Sequence, residues 1–438
     1  MIADIESVWK PRYVCVHVKT AFRYPRVYEE LSAGSIEKNV TVIVMEPFIL
    51  FGIILALGLA FVNGLNDASH SIATVVATRA LSPAKAVFLT AVCNMLGPFV
   101  FTTAVAATIG TAIITHDALT PLSLIVAMGS AILLIFVATR AGLPISSSNA
   151  MVGGLLGAGV GAVGFSAIIL PGSANVIQVF FFACTGAVLG SVVLALICVA
   201  FEGDIRSGIL LGAVFGAGII IPLLMIAGVL QIKGLFAIVL FIFISPLVGM
   251  AGAFLFSVLV SQVIKHSRQS RAKRTFQPLH VLACLAQATA HGGNDGQNAV
   301  GLITALLVAS GFLTTFSIPL WVVLLAATAI GLGTCFGGWQ VVDKMAKGIT
   351  KIRPYQGFCA ATASSGILVM ETMYGIPVSS THAINGAIVG VGATRGKDAV
   401  QWMVVREMMR AWIITIPLAF VCSFLVYLVL SAFLRIIG

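Results

Sequence analysis

Charge is what this sequence has least of. Only 9% of its 438 residues are Asp, Glu, Lys or Arg, whereas a soluble domain carries roughly a quarter. Such a chain cannot clothe a water-soluble globule, which excludes a cytosolic enzyme, an extended coiled coil and a disordered chain. The formal charge of +10 is spread too thinly for the dense basic face that nucleic-acid binding needs, so no nucleic-acid partner is expected. The eight cysteines (Cys15, Cys93, Cys184, Cys198, Cys284, Cys335, Cys359 and Cys422) include no Cys-x-x-Cys pair and no metal-ligand spacing. Seven lie in apolar stretches, where cysteine acts as a small hydrophobe, which argues against a disulfide framework or a structural zinc. Residues 1–44 lack the apolar core of a signal peptide. They are polar, and Met45 directly precedes the first apolar run. Residues 1–45 are therefore read as a polar N-terminal extension, an appendage or a start-site artefact.

What is there is hydrocarbon: 59% apolar residues and a mean hydropathy of +1.08. The fold class that follows is an all-α polytopic membrane protein whose first partner is the lipid bilayer. A crossing helix needs about 20 largely apolar residues. Twelve candidate spans meet that need, near 47–78, 84–114, 121–139, 142–170, 175–200, 208–231, 235–264, 279–306, 314–338, 357–374, 376–393 and 411–434. The first and eighth exceed one crossing and carry Gly, Asn and Asp in their middles, so both are expected to be broken helices. With both termini outside, seventeen Lys and Arg fall on inside loops and only Lys233 and Arg435 on outside segments. That is the bias of the positive-inside rule. It places the basic run 265–274 in the cytoplasm; the plasma (inner) membrane is the expected location.

Two signatures occur twice. Gly64-Leu-Asn66-Asp67-Ala-Ser-His70 is echoed by Gly292-Gly-Asn294-Asp295-Gly-Gln297-Asn298, an offset of 228. Gly142-Leu-Pro144-Ile-Ser146-Ser147-Ser148-Asn149 is echoed by Gly375-Ile-Pro377-Val-Ser379-Ser380-Thr381-His382, an offset of 233. Partner spans are seven apart, an odd number, so the two copies are inverted. Residues 46–200 are assigned to the first inverted repeat, 201–278 to linking spans and the basic cytoplasmic loop, and 279–438 to the second inverted repeat. Inverted repeats with broken helices are the architecture of secondary transporters, whose substrate sits at the repeat interface.

The chemistry sits in the duplicated motifs. Of fifteen acids only Asp67, Asp295 and Glu371 lie inside predicted spans. An ionisable group there costs several kcal/mol, roughly 2.5–3.5 on insertion scales, and normally faces a cavity or a partner. Asn66, Asp67, Asn294 and Asp295 offer hard oxygens for Na⁺, or carboxylates for H⁺; capping of a helix after a break is the plainer use of Asn-Asp. Helices starting at Pro144 and Pro377 would aim free N–H groups and the hydroxyls of Ser146, Ser147, Ser148, Ser379, Ser380 and Thr381 at an anion; close helix packing is the plainer use of such small residues. A midplane site further requires spans 3–4 and 10–11 to be re-entrant hairpins. Otherwise the first Ser motif lands at the cytoplasmic face beside Arg140. His70, His291 and His382 are accessory candidates for proton transfer or anion bonding, with Asn149 and Gln297 beside the motifs. Glu371 has no acidic counterpart in the first half.

At these residues the chain resembles the PiT family of inorganic phosphate transporters, in its prokaryotic branch. The diagnostic pieces are GLNDASHSIATVVATRAL at 64–81, AHGGNDGQNAVG at 290–301, LGTCFGGWQVV at 332–342 and GIPVSSTHAINGAIVGVGA at 375–393. The resemblance implies cation-coupled phosphate symport without a cofactor. It implies anion coordination by the two Ser/Thr motifs, with Asn298 at the substrate site, and Na⁺ or H⁺ at Asn66, Asp67, Asn294 and Asp295. Three positions depart from the pattern: Asn149 replaces a usual His, His70 a usual Asn, and Ala361 a frequent Glu or Gln. These leave open the coupling ion, and leave sulfate or another oxyanion as the nearest rival substrate. A metal–phosphate complex is open as well. An intramembrane aspartyl protease built on Asp67 and Asp295 is the rival from another class, and a passive channel a third reading. A homo-oligomer is compatible with the sequence.

Overall fold

The computed structural model of this chain describes residues 47–141, 145–200, 204–337 and 352–437, without the side chains of 68–71, 200, 207, 397 and 437. The N-terminal extension 1–45, the Gly142–Pro144 stretch, the basic residues Lys344, Lys347 and Lys351, and the His70 side chain therefore lie outside the described residues. The described residues from 47 to 428 form one compact unit; residues 429–437 are the closing turns of the last helix.

Among the described residues there are thirteen α-helices and no strand, apart from an isolated bridge between Ile114 and Ile168. They are α1 (Pro47–Ala77), α2 (Pro83–Val100), α3 (Ala104–Thr111), α4 (Pro121–Arg140), α5 (Ser147–Val163), α6 (Ser173–Ala200), α7 (Ile205–Ile226), α8 (Gly234–Ile264), α9 (Gln269–Ala309), α10 (Leu320–Phe336), α11 (Pro354–Met373), α12 (Ser380–Ala393) and α13 (Trp402–Ile437). Seven are long and apolar enough to cross a membrane, and α5 and α10 are shorter apolar helices. Outward faces rich in Phe, Leu, Ile and Val, such as Phe180, Leu196, Leu210 and Val429, remain exposed; lipid is the medium that accepts them.

Local chemistry sets the helix ends. Pro83, Pro121 and Pro354 open α2, α4 and α11 at the first turn, where a missing N–H costs nothing. Thr120 and Ser123 form a reciprocal capping box on α4. The turn after α11 uses Gly375 at φ 67°, with the Ala104 carbonyl oxygen 2.9 Å from where a Cβ would sit. Only glycine takes that conformation without strain.

Three expectations need correction. Both Asn-Asp helices run unbroken: α1 continues through Gly64 to Asp67, and α9 through Gly292 to Asp295. Their glycines serve close packing instead. A Cβ on Gly64 would lie 2.2 Å from the Ile330 carbonyl oxygen of α10, and one on Gly292 would lie 2.0 Å from the Asn94 carbonyl oxygen of α2. The real interruption in the first half falls between α2 and α3, inside the expected span 84–114. The basic run 265–274 is also less of a loop than charge counting implies, because α9 begins at Gln269 and carries Arg271, Lys273 and Arg274 on its first turns. Finally, no helix begins at Pro377: α12 starts at Ser380 with Ser379 at its N-cap.

The two Asn-Asp helices organise the core. Moving up α1 from Asp67 to Thr74 to Thr78, the partners on α9 run down from His291 to Cys284 to His280, so α1 and α9 lie antiparallel. Helix α10 closes over α1 through Gly333, whose Cβ would meet the Phe61 carbonyl oxygen at 1.9 Å, and α2 closes over α9 through Gly97 in the same manner. Likewise α5 lies on α13 through Gly153 and Gly157, and α12 lies on α8 through Gly386 and Gly390. Small residues let backbones approach where lipid supplies no hydrophobic drive between helices. Replacing Gly292 by Leu is expected to cost at least ~1–3 kcal/mol of packing and to collapse the monodisperse peak in detergent size-exclusion chromatography. Gly366→Ala, with nothing within 4 Å of the new carbon, leaves that peak unchanged.

Candidate functional site

Asp67 sits on the twenty-first of the 31 residues of α1, and Asp295 on the twenty-seventh of the 41 of α9. Both are interior to their helices, only 2% and 1% exposed. The starts of α5 and α12 converge on them. Ser147 Oγ lies 2.5 Å from Asp67 Oδ2 and 2.6 Å from Asn63 Oδ1, and Ser148 Oγ donates to Asp295 Oδ1 at 3.0 Å. From the other helix, Ser380 Oγ is 3.5 Å from Asp295 Oδ2 and Thr381 Oγ1 is 3.4 Å from Asp67 Oδ1. Each motif thus touches the aspartate of its own half with its second hydroxyl and the aspartate of the other half with its third. The first Ser motif lies with the aspartates in the interior, not at the surface beside Arg140.

His291 joins the carboxylates. Its Nε2 is 2.9 Å from Asp295 Oδ2 and 3.7 Å from Asp67 Oδ2, while Nδ1 pairs with Asn94 Oδ1 at 3.0 Å. One ligand atom each from Asp67, His291 and Asp295 lie within 4.8 Å of one another, a spacing that a cation or a shared proton can bridge. The asparagines beside the acids are held, not loose. Thr139 donates to Asn66 Oδ1 at 2.9 Å, and Asn294 Nδ2 donates to Thr372 Oγ1 at 3.0 Å. Asn66 also donates to Asp67 Oδ1 and to the Ile145 carbonyl, and Asn294 to the Ile376 carbonyl. These bonds tie each aspartate-bearing helix to the turn that delivers the facing hydroxyls.

The remaining candidates divide. Asn298 belongs to the cluster, donating to Ser148 Oγ at 3.0 Å. Ser146 caps α5, accepting from the Asn149 N–H, while Ser379 at the matching cap of α12 leaves its hydroxyl without a partner. Asn149 is buried beside Ser148 with both side-chain polar atoms unpartnered, and Asn294 Oδ1 and Asn298 Oδ1 are unpartnered too. Two candidates fall elsewhere. Gln297 accepts from Ala106 N–H and donates to the Thr102 and Gly293 carbonyls, so it pins the α2–α3 bend. His382 packs against Trp412, the ring centroids 4.1 Å apart and the planes tilted by 45°.

Sequence reasoning missed Asn63, Asn94, Thr139 and Thr372. A signal existed: Thr139 and Thr372 are separated by 233 residues, the offset of the Ser motifs, and Asn63 and His291 by 228, that of the Asn-Asp motifs. A polar residue repeated at the motif offset marks a shared position even where the motif letters stop.

No Lys or Arg lies in α1, α5, α12 or residues 275–309 of α9. The cluster is instead carboxylates, hydroxyls, carboxamides and one imidazole, closed off between long helices. Such a site can meet an ion away from water, and the class of protein that it and the apolar helices define is a membrane transport protein. Residues 63–207 and 178–423 match the phosphate transporter family. The chain is 37% identical over 382 residues to a probable low-affinity inorganic phosphate transporter of Rhizobium meliloti, covering 87% of this chain and 96% of that one. It is 29% identical over 387 residues to a protein of the same description in Bacillus subtilis, covering 86% and 96%. A solved structure described as the sodium-dependent phosphate transporter shares the fold, with a TM-score of 0.62, 23% identity, and coverage of 88% of this chain and 99% of its own. The chain belongs to the phosphate transporter family, a family of transport proteins and not of enzymes, and the protease reading is withdrawn.

Thr139→Val and Thr372→Val each strand a buried carboxamide, a loss of about 1–3 kcal/mol. Both variants should unfold at lower temperature in detergent, and a double variant should lose roughly the sum, since the two bonds serve different halves. A wild-type melting temperature in either single variant would contradict the tethering role.

Proposed function

We propose that this protein moves inorganic phosphate across the plasma membrane together with a coupling cation, Na⁺ or H⁺, by alternating access. Residues 46–200 and 279–438 act as two inverted-topology repeats linked by 201–278, in a chain of about twelve membrane segments. Both termini lie outside and the basic stretch 265–274 is cytoplasmic. The pairs α4–α5 and α11–α12 serve as re-entrant hairpins. The antiparallel run of α1 and α9 supports this reading, as do the paired interlocks of α10 on α1 and α2 on α9, and of α5 on α13 and α12 on α8.

One observation carries the proposal: hydroxyl-bearing helix starts from both halves meet two buried aspartates, and buried polar atoms around them are left without partners. Buried polar groups are ordinarily satisfied, and each orphan needs an explanation. A tetrahedral oxyanion supplies it. The hydroxyls of Ser146, Ser147, Ser148, Ser379, Ser380 and Thr381, the free N–H groups of two first turns, and Asn298 hold phosphate oxygens. The cation is held by Asn66, Asp67, Asn294 and Asp295, with His291 between the carboxylates. Asn149 lines the anion side.

Coupling follows from charge. A unit anion about 5 Å from a carboxylate is repelled by roughly 3 kcal/mol at an effective dielectric of about 20. Two carboxylates raise that to roughly 6 kcal/mol, about four decades in affinity. Phosphate therefore enters with cations that first neutralise the aspartates and swing the hydroxyl protons from carboxylate to phosphate. With one side open at a time, anion and cation must cross together, which also distinguishes the protein from a passive channel.

In proteoliposomes the purified protein is expected to accumulate radiolabelled phosphate, uninhibited by sulfate, when a Na⁺ or an H⁺ gradient is imposed separately. Sulfate uptake untouched by phosphate would overturn the substrate assignment. Asp67→Asn and Asp295→Asn are each expected to cut coupled uptake to background while membrane insertion is retained. Full transport by both variants would remove the aspartates from the mechanism.

A further inference from the structure

Glu371 is the third acid within the helical core and stands apart from the cluster. It lies in the last turn of α11, 0% exposed, four residues before Gly375 in the turn that leads into the Ser379–Thr381 motif. Ser245 of α8 donates to its Oε1, and Oε2 has no partner. Among the described residues no Lys or Arg pairs with it. Helix α8 has no charged or titratable residue over its whole length, and α3 has none. Helix α11 has no other carboxylate and no Lys or Arg. Helix α12 brings only His382, which packs against Trp412. Helix α9 brings His280 and Cys284, bonded to α1, His291 paired with Asp295, and Asp295 itself, the charged group that acts on Glu371 electrostatically. Asp67 of α1 lies behind His291.

A bare carboxylate with one hydroxyl donor, another carboxylate nearby and no cation is among the costliest arrangements a membrane interior can hold. A Na⁺ in its place would want about six oxygen ligands, and only the Ser245 hydroxyl meets the carboxyl here. On these grounds, and resting on the transport reading above, we propose that Glu371 and Ser245 form a proton-binding site. Glu371 carries a proton while the α11–α12 hairpin is docked on α8 and releases it when that contact opens to water. The neighbouring Thr372 holds Asn294, next to Asp295, so the protonation of Glu371 and the occupancy of the aspartate site move on one hairpin. The balance is simple: one proton taken from the side of entry onto Oε2, none exchanged with phosphate, and the same proton lost on the other side.

Glu371→Gln is the fixed neutral form. In proteoliposomes, wild-type phosphate uptake is expected to accelerate with an inward proton gradient at constant Na⁺. The variant is expected to keep phosphate–phosphate exchange within about twofold while its acceleration by the gradient falls by at least about tenfold. Ser245→Ala keeps the acid and alters its one bond, and is expected to move the pH profile of uptake. Independently of transport, difference infrared spectra of the detergent-solubilised protein should show a neutral-carboxyl stretching band that E371Q lacks. Equal acceleration of wild type and E371Q, an S245A profile identical to wild type, or matching infrared bands would each overturn the proton site while leaving phosphate transport standing. A wild-type protein that moves no phosphate at all would overturn the transport reading first.

Discussion

The rest of the structure depends on two carboxylates held side by side in a place that water does not reach. Asp67 and Asp295 belong to different halves of the chain, yet they share His291 and four hydroxyls. Left alone, such a pair would either take up a proton or attract a cation, because mutual repulsion in a poorly polarisable medium is not otherwise relieved. An anion cannot join them uninvited. In the proposed mechanism, the requirement that a positive charge arrives with the anion is set by the backbone positions of these two residues, before any moving part is considered.

The hydroxyls make that requirement reversible. A Ser or Thr hydroxyl donates one proton and accepts through two lone pairs, so it can point at a carboxylate in one state and at a phosphate oxygen or a cation in another. Each of the two helix starts reaches both aspartates, so neither half can change its ligation without the other noticing. The tethers run the same way: Thr139 and Thr372 hold Asn66 and Asn294 at equivalent positions. Around this centre the packing is backbone on backbone, through Gly64, Gly97, Gly292 and Gly333. Contacts of that kind resist small deformations.

Much of this was legible in the letters. The near absence of charge announced a membrane protein, and two motif pairs at offsets of 228 and 233 announced which residues would meet. The failures are as physical as the successes. Gly beside Asn-Asp read as a helix break, but glycine in a membrane helix more often buys proximity, and α1 and α9 run straight through. Proline read as the first residue of the hairpin helices, whereas the hydroxyl three residues after Pro377 begins α12. His291 could not be ranked above His70 or His382 from sequence, because what distinguishes it is contact with acids on two helices far apart in the chain. Asn63, Thr139 and Thr372 carry no motif letters and could be found only through the repeat offsets, while Asn94, which has no polar counterpart at either offset, becomes visible only through its partners.

The most direct test is calorimetric titration of the detergent-solubilised protein with phosphate, in choline, in Na⁺ at fixed pH, and across pH with allowance for the titration of phosphate itself. Obligate co-binding predicts that phosphate affinity rises by at least about a hundredfold with one of the two cations. It further predicts that this rise disappears in a variant carrying both Asp67→Asn and Asp295→Asn. Phosphate binding of equal strength with and without either cation would contradict it.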